Sequence, residues 1–164
     1  MTNMFRQGAS GALLDVYERT ITELQQTISD ISDTELIKIV DHQTTDDSCR
    51  SIQTILSHVI CSGYAYGTYV RRFKGEQIEF DDDDIFYPTI NDYNNHLNDS
   101  FIFMVDSFRN INDNELEESD NAKKLTTSWG QVYDIEQIVE HAIVHVLRHR
   151  RQIEKYKIII RNME

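Results

Sequence analysis

Apolar residues recur every three or four positions through four long stretches of this chain, the period of helices with one buried face. The first covers about Ser10 to Ile31, with Leu14, Tyr17, Ile21, Leu24, Ile28 and Ile31 on its seam. The second runs from about Ser48 to Phe73, on Ile52, Ile55, Val59, Gly63, Tyr66 and Val70. The third runs from about Ile90 to Ile111, on Ile90, Tyr93, Leu97, Phe101, Met104, Phe108 and Ile111. The fourth, Asp134 to Arg161, places Ile135, Ile138, Val139, Ala142, Val146 and Ile153 on one face and contains neither Gly nor Pro. Helix starts are marked by Asp134 with Gln137, by Thr89 with Asp92, and by Ser32 with Glu35. The last pair predicts a short helix over Asp33 to Val40. No stretch alternates as a strand does, and no internal repeat is evident. The pattern predicts an all-α protein. Its architecture would be an antiparallel four-helix bundle, with one longer crossover and a short extra helix between the first and second, in a single domain over residues 1–164.

Two connections stand out. Gly75 to Tyr87 is acidic, with Asp81 to Asp84 in a row. It lacks the alternating ligands and glycine of an EF-hand, so it reads as a solvated loop. The polar segment between the third and fourth helices is long for a bundle, and long loops often lie over sites. Trp129 and Tyr133 are expected to pin its end to the bundle. Gly63 and Gly67 weaken the second helix by propensity but permit close helix packing.

Charge narrows the range of partners. Lys and Arg total 16 against 28 Asp and Glu, a net charge of −12, which argues against a nucleic-acid partner. The basic run His149–Arg151 is short and suits the C-terminal part of a helix. Apolar residues make up 40% and no apolar run reaches membrane-spanning length, so no membrane partner is expected. The N-terminal stretch has no apolar core of a signal peptide. Cys49 and Cys61 form no CxxC pair and no disulfide framework. These features predict a cytoplasmic protein.

The chemistry lies in the histidines. His141, His145 and His149 are spaced four apart on the last helix, so they lie along one side of it. On a helical wheel His149 falls inside the apolar arc, His145 at its edge and His141 further out. An i,i+4 pair can place two imidazoles on one ion, which favours His145 and His149. Alone, such a pair is often a surface feature that binds nothing. His58 lies at the edge of the apolar stripe of the second helix and can supply a third nitrogen. Three nitrogens on one ion, with a place left for water or substrate, are the catalytic pattern of zinc. Nickel, cobalt and iron also accept imidazoles. His42 reads as a loop residue and His96 as exposed. Cys61, three residues after His58, reads as a small structural cysteine rather than a ligand.

The helix order, one His in the second helix and HAIVHVLRHRRQIEKY near the C-terminus resemble the DinB/YfiT-like family of four-helix-bundle metalloproteins. The family's His-x-x-x-His-Arg-x-Gln pattern is matched by His145, His149, Arg150 and Gln152, and its earlier histidine by His58. Its usual Trp near the start of the second helix is absent here, with Asp47 to Ser51 in its place. The resemblance implies a divalent ion, often zinc or nickel, on His58, His145 and His149, and frequently a homodimer. On motif grounds it makes Arg150 and Gln152 supporting groups. Some relatives are metal-dependent transferases of low-molecular-weight thiols; others resemble hydrolases or isomerases. The expected function is thus a metal-dependent thiol S-transferase acting on a small molecule. The alternatives are a metal-dependent hydrolase, a noncatalytic metal-stabilised stress-response bundle or dimeric scaffold, or a plain bundle that binds no metal.

Overall fold

The computed structural model describes residues 5–163; residues 1–4 and 164, counted in the expected domain, lie outside the described residues. The elements are α1 (Gly8–Ile28), α2 (Asp33–Ile37), α3 (Ile52–Phe73), α4 (Ile90–Ser107) and α5 (Ile135–Arg161), with two-residue strands β1 (Leu125–Thr126) and β2 (Val132–Tyr133) before α5. One contiguous apolar core joins the four long helices, and Leu24, Ile28, Leu36, Ile52, Leu97, Ile138 and Ile153 within it are fully buried. Among the described residues, no helix is long and apolar enough to cross a membrane.

Several boundaries differ from the seam-based expectation, each for a local reason. α1 ends at Ile28, not Ile31, where Ser29 turns its hydroxyl and N–H onto the Gln26 carbonyl, although Ile31 stays buried. α2 stops at Ile37, not Val40. The amides of Val40 and Asp41 both donate to the Arg50 carbonyl (2.9 and 3.2 Å), which holds the chain extended. α3 starts at Ile52, not Ser48. Ser51 is an extended N-cap boxed with Thr54, and Asp47–Cys49 form a separate 3₁₀ turn capped by Asp46. α4 ends at Ser107, not Ile111, yet Phe108 and Ile111 still point into the core. The β1–β2 ladder was not expected. Two residues per strand are too few to alternate, and the pair is closed by Thr127 and Gln131 bonding each other's backbone at 2.8 to 3.0 Å.

The antiparallel expectation holds for only half of the neighbouring pairs. Tyr17 meets Phe101 and Gln25 meets Asn94, so α1 and α4 run antiparallel. His58 meets His149 and Tyr66 meets His141, so α3 and α5 do too. By contrast Glu23 pairs with Arg150 and Asp30 with Lys157, which makes α1 and α5 parallel. Gly63 faces Ser100 and Gly67 faces Phe103 and Ser107, which makes α3 and α4 parallel. A helix period in the sequence carries no information about relative direction, which is why the pattern could not separate these arrangements.

Parallel neighbours need a connection as long as the helix. α3 spans roughly 33 Å at 1.5 Å per residue. The acidic segment after it returns along its length in extended form. Asp82 reaches Cys61, Asp84 is bonded by Ser48, and the Tyr87 carbonyl accepts from Gln53. The solvated loop of the sequence reading is therefore a strap laid along α3. Gly67 permits the close α3–α4 approach: a Cβ there would stand 2.7 Å from the Phe103 ring.

Candidate metal centre

α3 and α5 meet antiparallel, and their histidines meet at the crossing. His58 comes from the second turn of α3; His145 and His149 come from consecutive turns of α5. Their Nε2 atoms converge. His145 Nε2 lies 3.0 Å from His58 Nε2 and 3.2 Å from His149 Nε2. Among the described residues this is the one group of His, Cys, Asp or Glu gathered closely enough to hold an ion, its ligand atoms all within 4.8 Å.

The donor set fits a cation. His149 Nδ1 donates to Gln152 Oε1 at 3.1 Å, so its Nε2 presents a lone pair to the cluster. One N–H on His145 Nε2 can serve one neighbour, not both. Among the described residues, the buried His145 Nδ1 has no partner, so this ring's polar contacts all lie on the triad side. A single cation satisfies all three lone pairs. Nitrogens about 2.0–2.1 Å from one ion at near-tetrahedral angles stand roughly 3.2–3.4 Å apart. The two His145 spacings are within a few tenths of an ångström of that, and the ligand atoms of His58 and His149 lie within 4.8 Å of each other. Burial, reinforced by the neighbouring imidazoles, lowers the His145 pKa to about 2 and that of His149 to about 4. Both rings are thus neutral, as ligands must be, at ordinary pH.

Gln152 also lies 3.8 Å from the Cys49 thiol and 3.5 Å from the Tyr156 hydroxyl, which in turn donates to the Cys49 carbonyl. The amide that orients His149 is therefore itself held from two sides, the arrangement that tunes metal ligands. Arg150 corrects the motif-based expectation. Its side chain pairs with Glu23 of α1 and with Glu154. Its work is to join α5 to α1.

Beside the triad lies a chamber of about 440 Å³, open to solvent, with His58 and His145 in its wall. Its far side is aromatic. Trp129 stands edge-to-face with Tyr66 at 6.2 Å and tilted over His141 at 5.3 Å. The loop before α5 does cover the site, as its length predicted. Trp129 is anchored by Tyr69, edge-on to it at 5.9 Å, while the Tyr69 hydroxyl accepts from the Ser128 amide at 2.7 Å. His141 is the outermost of the α5 histidines, as the wheel predicted, but it lines this chamber, its ring 6.4 Å from that of His145.

The remaining candidates lie elsewhere. His42 is exposed in a loop. His96, expected to be exposed, is stacked on Tyr87 at 3.9 Å and half-buried. Cys61 is not among the converging ligands; burial, with Asp84 and Asp82 close by, pushes its thiol up to about 12. Sequence reading missed the part played by the strap. Burial also raises the Asp84 carboxyl, which the nearby His58 opposes, and Asp82 lines the chamber. It read Tyr66 as core only, although Tyr66 follows His58 by eight residues and so shares its face.

No protein-family model, curated protein or solved structure matches this chain.

Proposed function

We propose that the protein is a divalent-metal enzyme of DinB/YfiT-like character that transfers a low-molecular-weight thiol to a small electrophile. The observation that carries this reading is the convergence of the three ligand nitrogens, with His145 Nε2 3.0 Å from His58 Nε2 and 3.2 Å from His149 Nε2, beside an open chamber that has His58 and His145 in its wall. The resemblance of the His145–Gln152 motif supports it. Zinc or nickel held there would lower the pKa of a bound thiol and present it as a thiolate. The protein's own groups do the rest. His58, His145 and His149 hold the site, Gln152 fixes the His149 tautomer, and Trp129 and Tyr66 wall off the reacting groups. His141, whose pKa burial lowers, is neutral and free to take up the thiol proton. The sulfur forms its bond to an electrophilic carbon as the leaving group departs with the bonding pair. The chamber has room beside the triad for such a substrate, which a scaffold site closed by a fourth protein ligand would lack.

The test is cobalt substitution of tag-free protein. About one ion per chain is expected, and added thiols should produce a sulfur-to-metal charge-transfer band in the near ultraviolet. Metal uptake with no spectral response to any thiol would favour the hydrolase or scaffold reading. No uptake of zinc, nickel or cobalt would leave a plain bundle.

A further inference from the structure

The chamber beside the triad has a chemical bias of its own. Among the described residues that line it, Asp82 is the only one with a formal charge, and none is Lys or Arg. The strap that carries Asp82 also brings Asp84, which Ser48 bonds, close to His58. Arg148, whose charge acts on His145 and His149, is exposed on α5 and does not line the chamber. Trp129, Tyr66 and His141 line the same chamber, in edge-to-face and tilted contact with one another, and Trp129 is left 44% exposed. Aromatic faces attract organic cations, most strongly those of Trp, and a carboxylate lining the same chamber adds attraction of the same sign. An anionic ligand would meet a carboxylate and the negative faces of the rings, with no cation to offset them.

We infer that the chamber selects a small molecule bearing an ammonium or quaternary ammonium group, lodged between Trp129 and Asp82 with its reactive end toward His58 and His145. This rests on the chamber being the substrate site proposed above, but not on the metal. It sets the charge class of the substrate: amine-bearing molecules enter, and anionic thiols and phosphate esters are disfavoured.

Trp129 is the only tryptophan in the chain, so its fluorescence reports directly on the chamber. Three probes of one shape separate charge from size: choline, its neutral carbon isostere 3,3-dimethyl-1-butanol, and the anion 3,3-dimethylbutyrate. Each would be titrated into the full chain, both chelator-treated and zinc-loaded. Choline should bind about tenfold or more tightly than the neutral alcohol, the factor equivalent to a cation–aromatic contact of about 1.4 kcal/mol, and the anion should bind weakest. Asp82→Asn, on the exposed strap, should weaken choline severalfold and leave the alcohol unchanged. Equal binding of choline and alcohol, a stronger response to the anion, or no response to any probe would overturn the inference. Choline selectivity in protein that takes up no zinc would uphold it while the metal reading failed. Selectivity seen only after zinc loading would overturn it, because the discrimination would then belong to the ion.

Discussion

α3 shows two different surfaces to its two antiparallel-and-parallel neighbours. Toward α4 it offers Gly63 and Gly67, which meet Ser100, Phe103 and Ser107 so closely that even a methyl group is crowded. Toward α5 it offers His58 and Tyr66, which meet imidazoles beside a chamber. The first surface is small, parallel and tight; the second is polar, antiparallel and partly open. A dense interior resists movement, whereas a cavity wall has fewer partners to hold it. The α4 side therefore fixes the position of α3, and with it His58, so that the α5 side can afford an opening. Changes on the α5 side should alter metal binding first, and changes on the α4 side should alter stability first.

The largest effect is expected from His149→Ala. Removing one of three ligands should lower metal affinity by more than the roughly 10–100-fold typical of a lost supporting partner. Competition with a chromophoric chelator measures it, and retained tight binding would show that His149 is only a core residue. Gln152→Ala removes such a supporting partner and should weaken binding by about 10–100-fold with the fold intact. Unchanged affinity would mean that the contact at 3.1 Å does not set the His149 tautomer.

Acid should act next, and through the same face. Burial lowers the pKa values of His145 and His149 in the folded chain to about 2 and about 4, against about 6.5 when unfolded. Between about pH 6.5 and 4 the unfolded state therefore binds more protons, so the stability of metal-free protein should fall as the pH drops through that window. Urea midpoints from pH 7 to 5.5, compared between wild type and His149→Gln, would show it. The same slope in both would remove His149 as the cause.

On the opposite face, Gly67→Ala sets a helix-propensity gain of about 1 kcal/mol against an overpacking cost of about 1–3 kcal/mol. A net loss of up to about 2 kcal/mol is expected, with about one metal ion per chain retained. A more stable variant would mean that Phe103 yields freely and that the tight face is not tight. The smallest effects belong to His42→Ala and His141→Ala, which should leave metal affinity within about twofold because neither contributes to the converging nitrogens. A large loss at His141 would place the ligand pair one turn earlier on α5.

The helices and the His145–His149 pair were legible because both are periodic signals, whereas His58, alone on its helix, carried no such signal and joined them through the bundle geometry and the family resemblance. A buried face repeats every three or four residues, and an i,i+4 pair shares a side of one helix, so Leu24, Val139, His145 and His149 could be placed from spacing alone. Relative direction was not legible. The parallel pairing of α3 with α4 depends on which seam meets which, and Gly67 does not name Phe103 as its neighbour. The role of Asp82 and Asp84 was hidden for the same reason: an acidic run looks alike whether it lies free or crosses a site. Arg150 shows the opposite error. A motif position implied a role near the ligands, but its long side chain reaches Glu23 on another helix.

The start of α1 has a consequence for the order in which the chain assembles. Gln7, its N-cap residue, makes no capping bond; the amides of Ala9 and Ser10 are instead held by the Asp113 carboxylate at 2.8 and 3.0 Å, from more than a hundred residues away. Closing so long a loop is entropically costly before other contacts form. As the chain leaves the ribosome, the first turn of α1 must wait for a residue that has not yet been made. Although α1 is made before α2 to α5, it is thus among the last of these helices to be completed. Its leading turn should exchange its amide hydrogens on the timescale of Asp113 docking, not on that of the helix itself.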